Sequence, residues 1–266
     1  MLECVVNLSE GRDAALLDAA AEAAGTALLD VHRDPDHHRA VLTMAGPAPE
    51  LAAAVRSVAT WAVSTLSLEN HHGAHPRIGV LDVVPWVDLD YPTAEATAAS
   101  LEVRNTFAAW AGTELALPCF VYGPERTLPD IRRHAWDGLT PDTGPPAPHP
   151  TAGACAVGAR GVLVAYNLWL STPDVRLARR VAGAIRRPGL RALGLQVGTR
   201  VQVSCNLTDP ARLGPGAAYD LVAAHCDVAA AELVGLLPRS VLDAVPARRW
   251  TRLGLAADRT IEGHLA

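Results

Sequence analysis

Residues 70–82 read "NHHGAHPRIGVLD" and set His71, His72, His75 and Arg77 at the mouth of an apolar run. Imidazole is the side chain whose ordinary pKa lies nearest neutrality, which makes it the default general acid or base. Gly73 permits a sharp bend and Pro76 fixes the backbone directly after His75, a rigid mount for a catalytic imidazole. Arg77 beside it offers a planar fork for a carboxylate. Residue types alone leave two alternatives open, a solvated histidine-rich loop and a metal site. His72 and His75 are close, and His37 and His38 stand in another loop, but the spacing of these four matches no established ligand pattern, so no metal is expected.

Two further stretches carry polar groups in unusual density. "NLSEGRD" (7–13) links a strand to a helix. Ser9 is the expected N-cap, with Glu10 and Asp13 favoured near a helix start. The alternative is an anion site on free amides, with Asn7, Ser9 and Glu10 around it and Gly11 allowing close approach. "DVHRDPDHHRA" (30–40) reads as a polar hairpin turn holding Asp30, His32, Asp36, His37, His38 and Arg39. Facing the His75 loop it would form a second wall of a substrate site, with Arg39 gripping a carboxylate and His38 beside it.

Composition removes several chemistries. The chain has no lysine, so a Schiff-base enzyme and a Walker-type phosphate loop are excluded. Five scattered cysteines without a C-x-x-C pair predict reduced thiols and a cytoplasmic protein rather than a disulfide framework. "MLECVVNLSEG" lacks the pattern of a signal peptide, and the apolar runs are short or interrupted, so no membrane span is expected. A net charge of −5 with dispersed arginines argues against nucleic acid. Half of the residues are hydrophobic and 19% charged, enough for a substantial core.

These groups need elements to hold them, and periodicity supplies an α+β reading. Strands are expected at 2–8, 26–32 and 39–45, a helix at 12–25, a second at 49–67 and a strand at 78–87, in the order βαββαβ. A helix over about 93–114 and a strand at 118–123 follow. "DGLTPDTGPPAPHPTAG" (137–153) is too rich in Pro and Gly for regular structure and reads on composition as a linker. The order then repeats, with a strand at 161–170, a helix at 172–187 and a tight hairpin of 192–197 with 200–208 around Gly198. A helix over 216–235 runs towards a short closing strand, and "ELVGLLP" (232–238) reads as a helix end. "VVNLSEG" and "VAYNLWLS" echo each other across the halves. Two ferredoxin-like subdomains, 1–160 and a shortened 161–266, with a ligand cleft between them, are the expectation.

In order along the chain, "ECVVNLSEG" (3–11), "LLDVHRDPDHHRAV" (28–41), "HHGAHPRIGVLDVVP" (71–85), "GACAVGARGVLVAYNLWLST" (153–172), "VQVSCNLTD" (201–209), "AELVGLLPRSVLDA" (231–244) and "RLGLAADRTIE" (252–262) resemble the formiminotransferase family. The resemblance spans the chain and leaves no stretch for a cyclodeaminase domain. It implies a homodimeric transferase of one-carbon metabolism and histidine catabolism, moving a formimidoyl or formyl group between glutamate and tetrahydrofolate, the co-substrate. It places the catalytic histidine at His75. It also makes Gly144, Pro145, Pro146, Ala147, Pro148, His149, Pro150, Thr151, Ala152 and Gly153 the folate-contacting segment, against the linker reading. That segment lacks the aromatic residues of well-known members, and His38 replaces a frequent Asn. A folate-binding module without transfer, or a relative acting on another amine, therefore stand as alternatives. No roles are assigned to His32, His37, His71 and His72.

Overall fold

Alternation decides the first strand: Cys4, Val6 and Leu8 point into a helix-covered core, while Glu3 and Asn7 point to the opposite face of the sheet. A computed structural model describes residues 1–73, 76–90 and 95–265 and divides into two units, Met1–Gly161 and Val162–Ala266. The first unit opens with β1 (Leu2–Leu8), α1 (Ala14–Ala24), β2 (Leu28–Asp34), β3 (Arg39–Gly46), α2 (Ala48–Thr65) and β4 (Leu81–Asp88). It continues with α3 (Ala98–Glu114), β5 (Cys119–Tyr122), α4 (Leu128–His134) and β6 (Cys155–Arg160). The sheet has the order β2-β3-β1-β4-β6-β5. The first four strands pair antiparallel, and β6 joins β4 and β5 in parallel.

Sequence periodicity passed over α4 and β6. Thr127 caps α4 and Asp130 returns the bond, a four-residue box with Pro129 just inside the helix. "CAVGAR" is built of small residues with little strand preference and is held by burial between two parallel neighbours. The 137–153 stretch is irregular but is no linker. Cys119 N–H donates to the Thr143 carbonyl (2.9 Å), Leu68 N–H to Thr151 (2.9 Å) and Val80 N–H to Ala152 (2.9 Å). Gly153 takes φ 72°, and a Cβ there would stand 2.3 Å from the Ile78 carbonyl oxygen. Proline and glycine shape a packed turn in this stretch.

The second unit runs β7 (Val164–Leu170), α5 (Val175–Ile185), β8 (Leu190–Val197), β9 (Arg200–Leu207), α6 (Pro215–Ala223), β10 (Val228–Val234), α7 (Arg239–Asp243) and α8 (Ile261–His264). Its four strands are antiparallel in the order β10-β7-β9-β8. Both units therefore share the βαββαβ order and strand arrangement, the α+β architecture expected. The helix expected to reach 235 ends at Ala223, and 228–234 is a full strand; "ELVGLLP" begins at that strand's end. A run of alanines satisfies a helix or a small-residue strand, and only pairing with β7 decides it. Among the described residues no helix is long and apolar enough to cross a membrane.

Candidate functional site

Three loops of the first unit meet at one end of its sheet. The first is the β1–α1 loop. Its helix is capped by Asp13, which accepts from Ala15 (2.9 Å) and Leu16 (3.2 Å), and not by Ser9 as the sequence suggests. Ser9 is buried and ties the loop down instead, its hydroxyl donating to the Gly79 carbonyl (2.8 Å) and its N–H to Val80 (2.8 Å). The loop amides that could have held an external anion are filled from within. Glu10 accepts from Gly11 (2.7 Å), Arg12 (2.6 Å) and Asp13 (3.0 Å). Burial pushes the Glu10 carboxyl up, but these amides and the neighbouring His38 hold it below its ordinary value. Asn7, also buried, donates to the Val5 carbonyl (2.9 Å).

The second loop is the β2–β3 turn. Gly11 lies directly beneath it, and a Cβ on Gly11 would be 2.4 Å from the Asp34 carbonyl oxygen and 2.5 Å from the Arg39 amide. His37 Nδ1 contacts the Asp34 carboxylate, and its N–H donates to the same group (2.8 Å). His38 adopts φ 50° and accepts the Gly11 N–H on Nδ1 (3.2 Å). The left-handed backbone, rare for a histidine, is what turns its ring back over the first loop.

The third loop contains residues 70–80. Arg77 Nη1 donates to the His38 carbonyl (3.0 Å) and to His71 Nε2 (2.8 Å), and Nη2 donates to the His37 carbonyl (2.8 Å). The guanidinium thus clamps the hairpin to this loop. Gly73 is required by proximity: a Cβ there would lie 2.2 Å from the His37 carbonyl oxygen. The His38 and His71 rings stack with centroids 4.0 Å apart. A guanidinium only donates, so His71 Nε2 accepts and its proton sits on Nδ1, which is enclosed and unpartnered among the described residues. Burial first, then the Arg77 charge and, at the low pH where it is protonated, His38, lower the His71 pKa to about 4. Burial lowers His38 as well, against the pull of Glu10. Both rings are neutral near pH 7.

Arg39, at the hairpin end, has an enclosed Nε without a hydrogen-bond partner among the described residues. Burial lowers its pKa to about 10, opposed by Asp82 and reinforced by Arg132; it remains a cation. Asp82 is buried and committed elsewhere. It takes Arg132 Nη1 (2.9 Å) and Nη2 in a fork and the Ile78 N–H (2.7 Å). Sequence reasoning missed Asp82, Arg132 and the cap Asp13. The Thr127/Asp130 box was a legible sign of the helix carrying Arg132.

The 144–153 segment packs on the same end. His149 N–H and carbonyl exchange bonds with Gly153 (2.8 and 3.0 Å), and His149 Nδ1 accepts from Ala152 (3.0 Å). Gly153 bridges Gly79, just beyond the histidine loop. Pro146, Ala147, Pro148 and Pro150 are exposed, while Ala152 is buried. Residues 1–160 match the sequence model of the formiminotransferase domain, N-terminal subdomain.

The chain belongs to the formiminotransferase family. It is 31% identical to a glutamate formimidoyltransferase of Streptococcus pyogenes serotype M1 over 91% of this chain and 90% of that protein. A glutamate formimidoyltransferase of Thermoplasma acidophilum is also 31% identical, over 91% and 89% of the two chains. The formimidoyltransferase-cyclodeaminase of Gallus gallus is 32% identical over 92% of this chain, which spans 51% of that protein. Of the residues singled out for the formiminotransferase site, Glu10, His38, Arg39 and Arg77 come together with His71, and Ser9 braces them. His75 lies outside the described residues. Among the described residues no group of three or more His, Cys, Asp and Glu side chains is arranged to hold a metal.

Proposed function

We propose that this protein is a glutamate formimidoyltransferase, transferring a formimidoyl group from N-formimidoyl-glutamate to N5 of tetrahydrofolate in the cytoplasm, as a homodimer. Supporting this are the full-length similarity to proteins of that name and one structural observation. Arg39, in the same loop cluster as the stacked His38 and His71 rings, presents a half-buried cation whose enclosed Nε has no partner among the described residues.

The proposed chemistry follows. N5 attacks the formimidoyl carbon, forming a C–N bond and a tetrahedral adduct, and must shed a proton. His75 takes that proton as general base and returns it to the glutamate nitrogen as the bond between that nitrogen and the one-carbon centre breaks. Arg39 holds a glutamate carboxylate, a charge-assisted contact that fixes the attack geometry. Arg77 acts as a positioning residue, since three of its donors hold His37, His38 and His71. Asn7, Ser9, Glu10 and His38 support the wall behind Arg39. The 144–153 turn contacts the folate through its exposed prolines and His149. A formyl group on the same carbon would pass by the same route.

The test is an absorbance assay with tetrahydrofolate and N-formimidoyl-glutamate, product being converted by acid to methenyltetrahydrofolate. Turnover is expected, and His75→Ala lowers it by about 10²–10⁴-fold. Folded His75→Ala with undiminished turnover removes the catalytic assignment, and a folded parent protein that binds tetrahydrofolate without turnover is a binding module instead.

A further inference from the structure

Within the first unit, α2 and α3 pack against each other over one core and leave a groove of about 210 Å³ between them. α2 lines it with Ala52 and Arg56, one helical turn apart, and α3 with Glu102, Val103 and Phe107. Alanine at position 52 leaves space that a longer side chain would fill. Phe107, 1% exposed, closes the floor.

Two opposite charges stand on these apolar walls, one from each helix, and neither forms an ion pair among the described residues. Glu102 is exposed. Arg56 is half-buried, its Nε is enclosed without a partner among the described residues, and its guanidinium lies 5.2 Å from the Trp110 ring centroid. Trp110 in turn packs on Phe107, with ring centroids 5.6 Å apart. A half-buried guanidinium gives up water and ordinarily regains that loss from a carboxylate. Here an aromatic ring holds it instead, which fixes the head and leaves its Nη donors to an incoming acid.

We propose that this groove binds a free α-amino acid with an apolar side chain. Its carboxylate docks on Arg56, its ammonium on Glu102, and its side chain lies on Ala52, Val103 and Phe107. A cavity of about 150 Å³ accepts a benzene-sized body, so this groove has room for a side chain of leucine size with the charged head at its rim. Selectivity follows from the two charges. An acid without an amine meets Glu102, an amine without an acid meets Arg56, and only the zwitterion satisfies both. A charged side chain, as in glutamate, would lose its water on apolar walls, which sets this ligand apart from the transfer donor. The groove shares no residue with the three loops of the candidate site.

The experiment is titration calorimetry of the full chain with L-leucine, with 4-methylpentanoate, which lacks the amine, and with 3-methylbutylamine, which lacks the acid. Saturable leucine binding is expected with a Kd at or below about 1 mM, and either analogue is expected to bind about tenfold more weakly or worse. Arg56→Gln is expected to weaken leucine by about tenfold or more. Glu102→Gln, at an exposed position, is expected to weaken leucine and to bring 4-methylpentanoate within about threefold of it, a change of preference that a general loss of packing does not produce. A folded parent protein that gives no binding heat with leucine, methionine or phenylalanine at about 10 mM overturns the proposal. Leucine binding that both variants leave within about twofold overturns its assignment to this groove. Self-association of the parent that Arg56→Gln abolishes, without leucine binding, makes the groove an interface between copies and overturns it too.

Discussion

The two units share a topology and differ in what they do with its hairpin. In the second unit β8 and β9 are joined by two residues, Gly198 and Thr199, with Gly198 at φ 56° and open space where a Cβ would be. That turn does nothing but reverse the chain. In the first unit the matching hairpin carries four residues between Asp34 and Arg39, and each of its neighbours is bonded to it. Gly11 lies under it, Arg77 holds its carbonyls, and His71 stacks on His38. The comparison teaches that one framework tolerates either a minimal turn or a loaded one. The loaded turn depends on a second and third loop that leave no room for extra atoms.

The largest expected effect tests that dependence. Gly11→Ala must displace the hairpin backbone and is expected to cost about 3 kcal/mol or more, whereas Gly198→Ala pays only for a left-handed backbone, about 1–2 kcal/mol. Urea melts of the two variants decide it, and equal losses would end the comparison. Next comes Glu10→Ala, which leaves three amides without their carboxylate and is expected to cost about 2–3 kcal/mol. Its counterpart Asp174→Ala in the second unit removes one helix cap, the bond to Arg176 N–H (2.7 Å), at about 1 kcal/mol.

Arg77→Lys sharpens the picture on the functional side. Lysine keeps the charge but cannot bond two carbonyls and an imidazole in one plane, so turnover is expected to fall about 10–100-fold while melting stays cooperative. Unchanged kcat would show that the clamp has no bearing on transfer. The smallest effect is on pH dependence. His71 sits near 4 in the folded chain against 6.5 unfolded, so unfolding takes up a proton between those values. The stability this neutral ring contributes is complete above about 6.5 and is lost as pH falls towards 4. His38 and Glu10, both lowered, act in the same sense. Melting temperatures across pH 4–7 are expected to fall less steeply in His71→Asn than in the parent.

Much of the fold was legible because burial leaves a period in the sequence. β1 and β3 announce themselves as short apolar runs, the hairpin of the second unit by alternation, and α2 by an apolar stripe ended with polar residues. β6 and β10 did not, since "CAVGAR" and "VAAAELV" consist mostly of small residues whose state is set by the strands beside them. α4 could have been found from its capping box. At the β1–α1 loop, residue type pointed to one job and packing gave another. Ser9 has the chemistry of a cap, yet Asp13 takes that place, because Ser9 is drawn to the Gly79 carbonyl 70 residues away.

By itself the sequence determined which chemistry was available: imidazoles, arginines and carboxylates concentrated in three loops, no lysine, and two copies of one element order with the residues of a formiminotransferase. Those are properties of side-chain type and of local period, and a chain carries them before it folds. Tertiary structure alone decided which groups are spent and which remain open. Glu10 fills the helix amides, Arg77 holds two carbonyls and His71, and Asp82 is taken by Arg132, while Arg39 Nε is among the enclosed atoms without a partner among the described residues. The physical reason is that a hydrogen bond or ion pair depends on distances of a few ångströms between residues far apart in the chain, which only packing brings about.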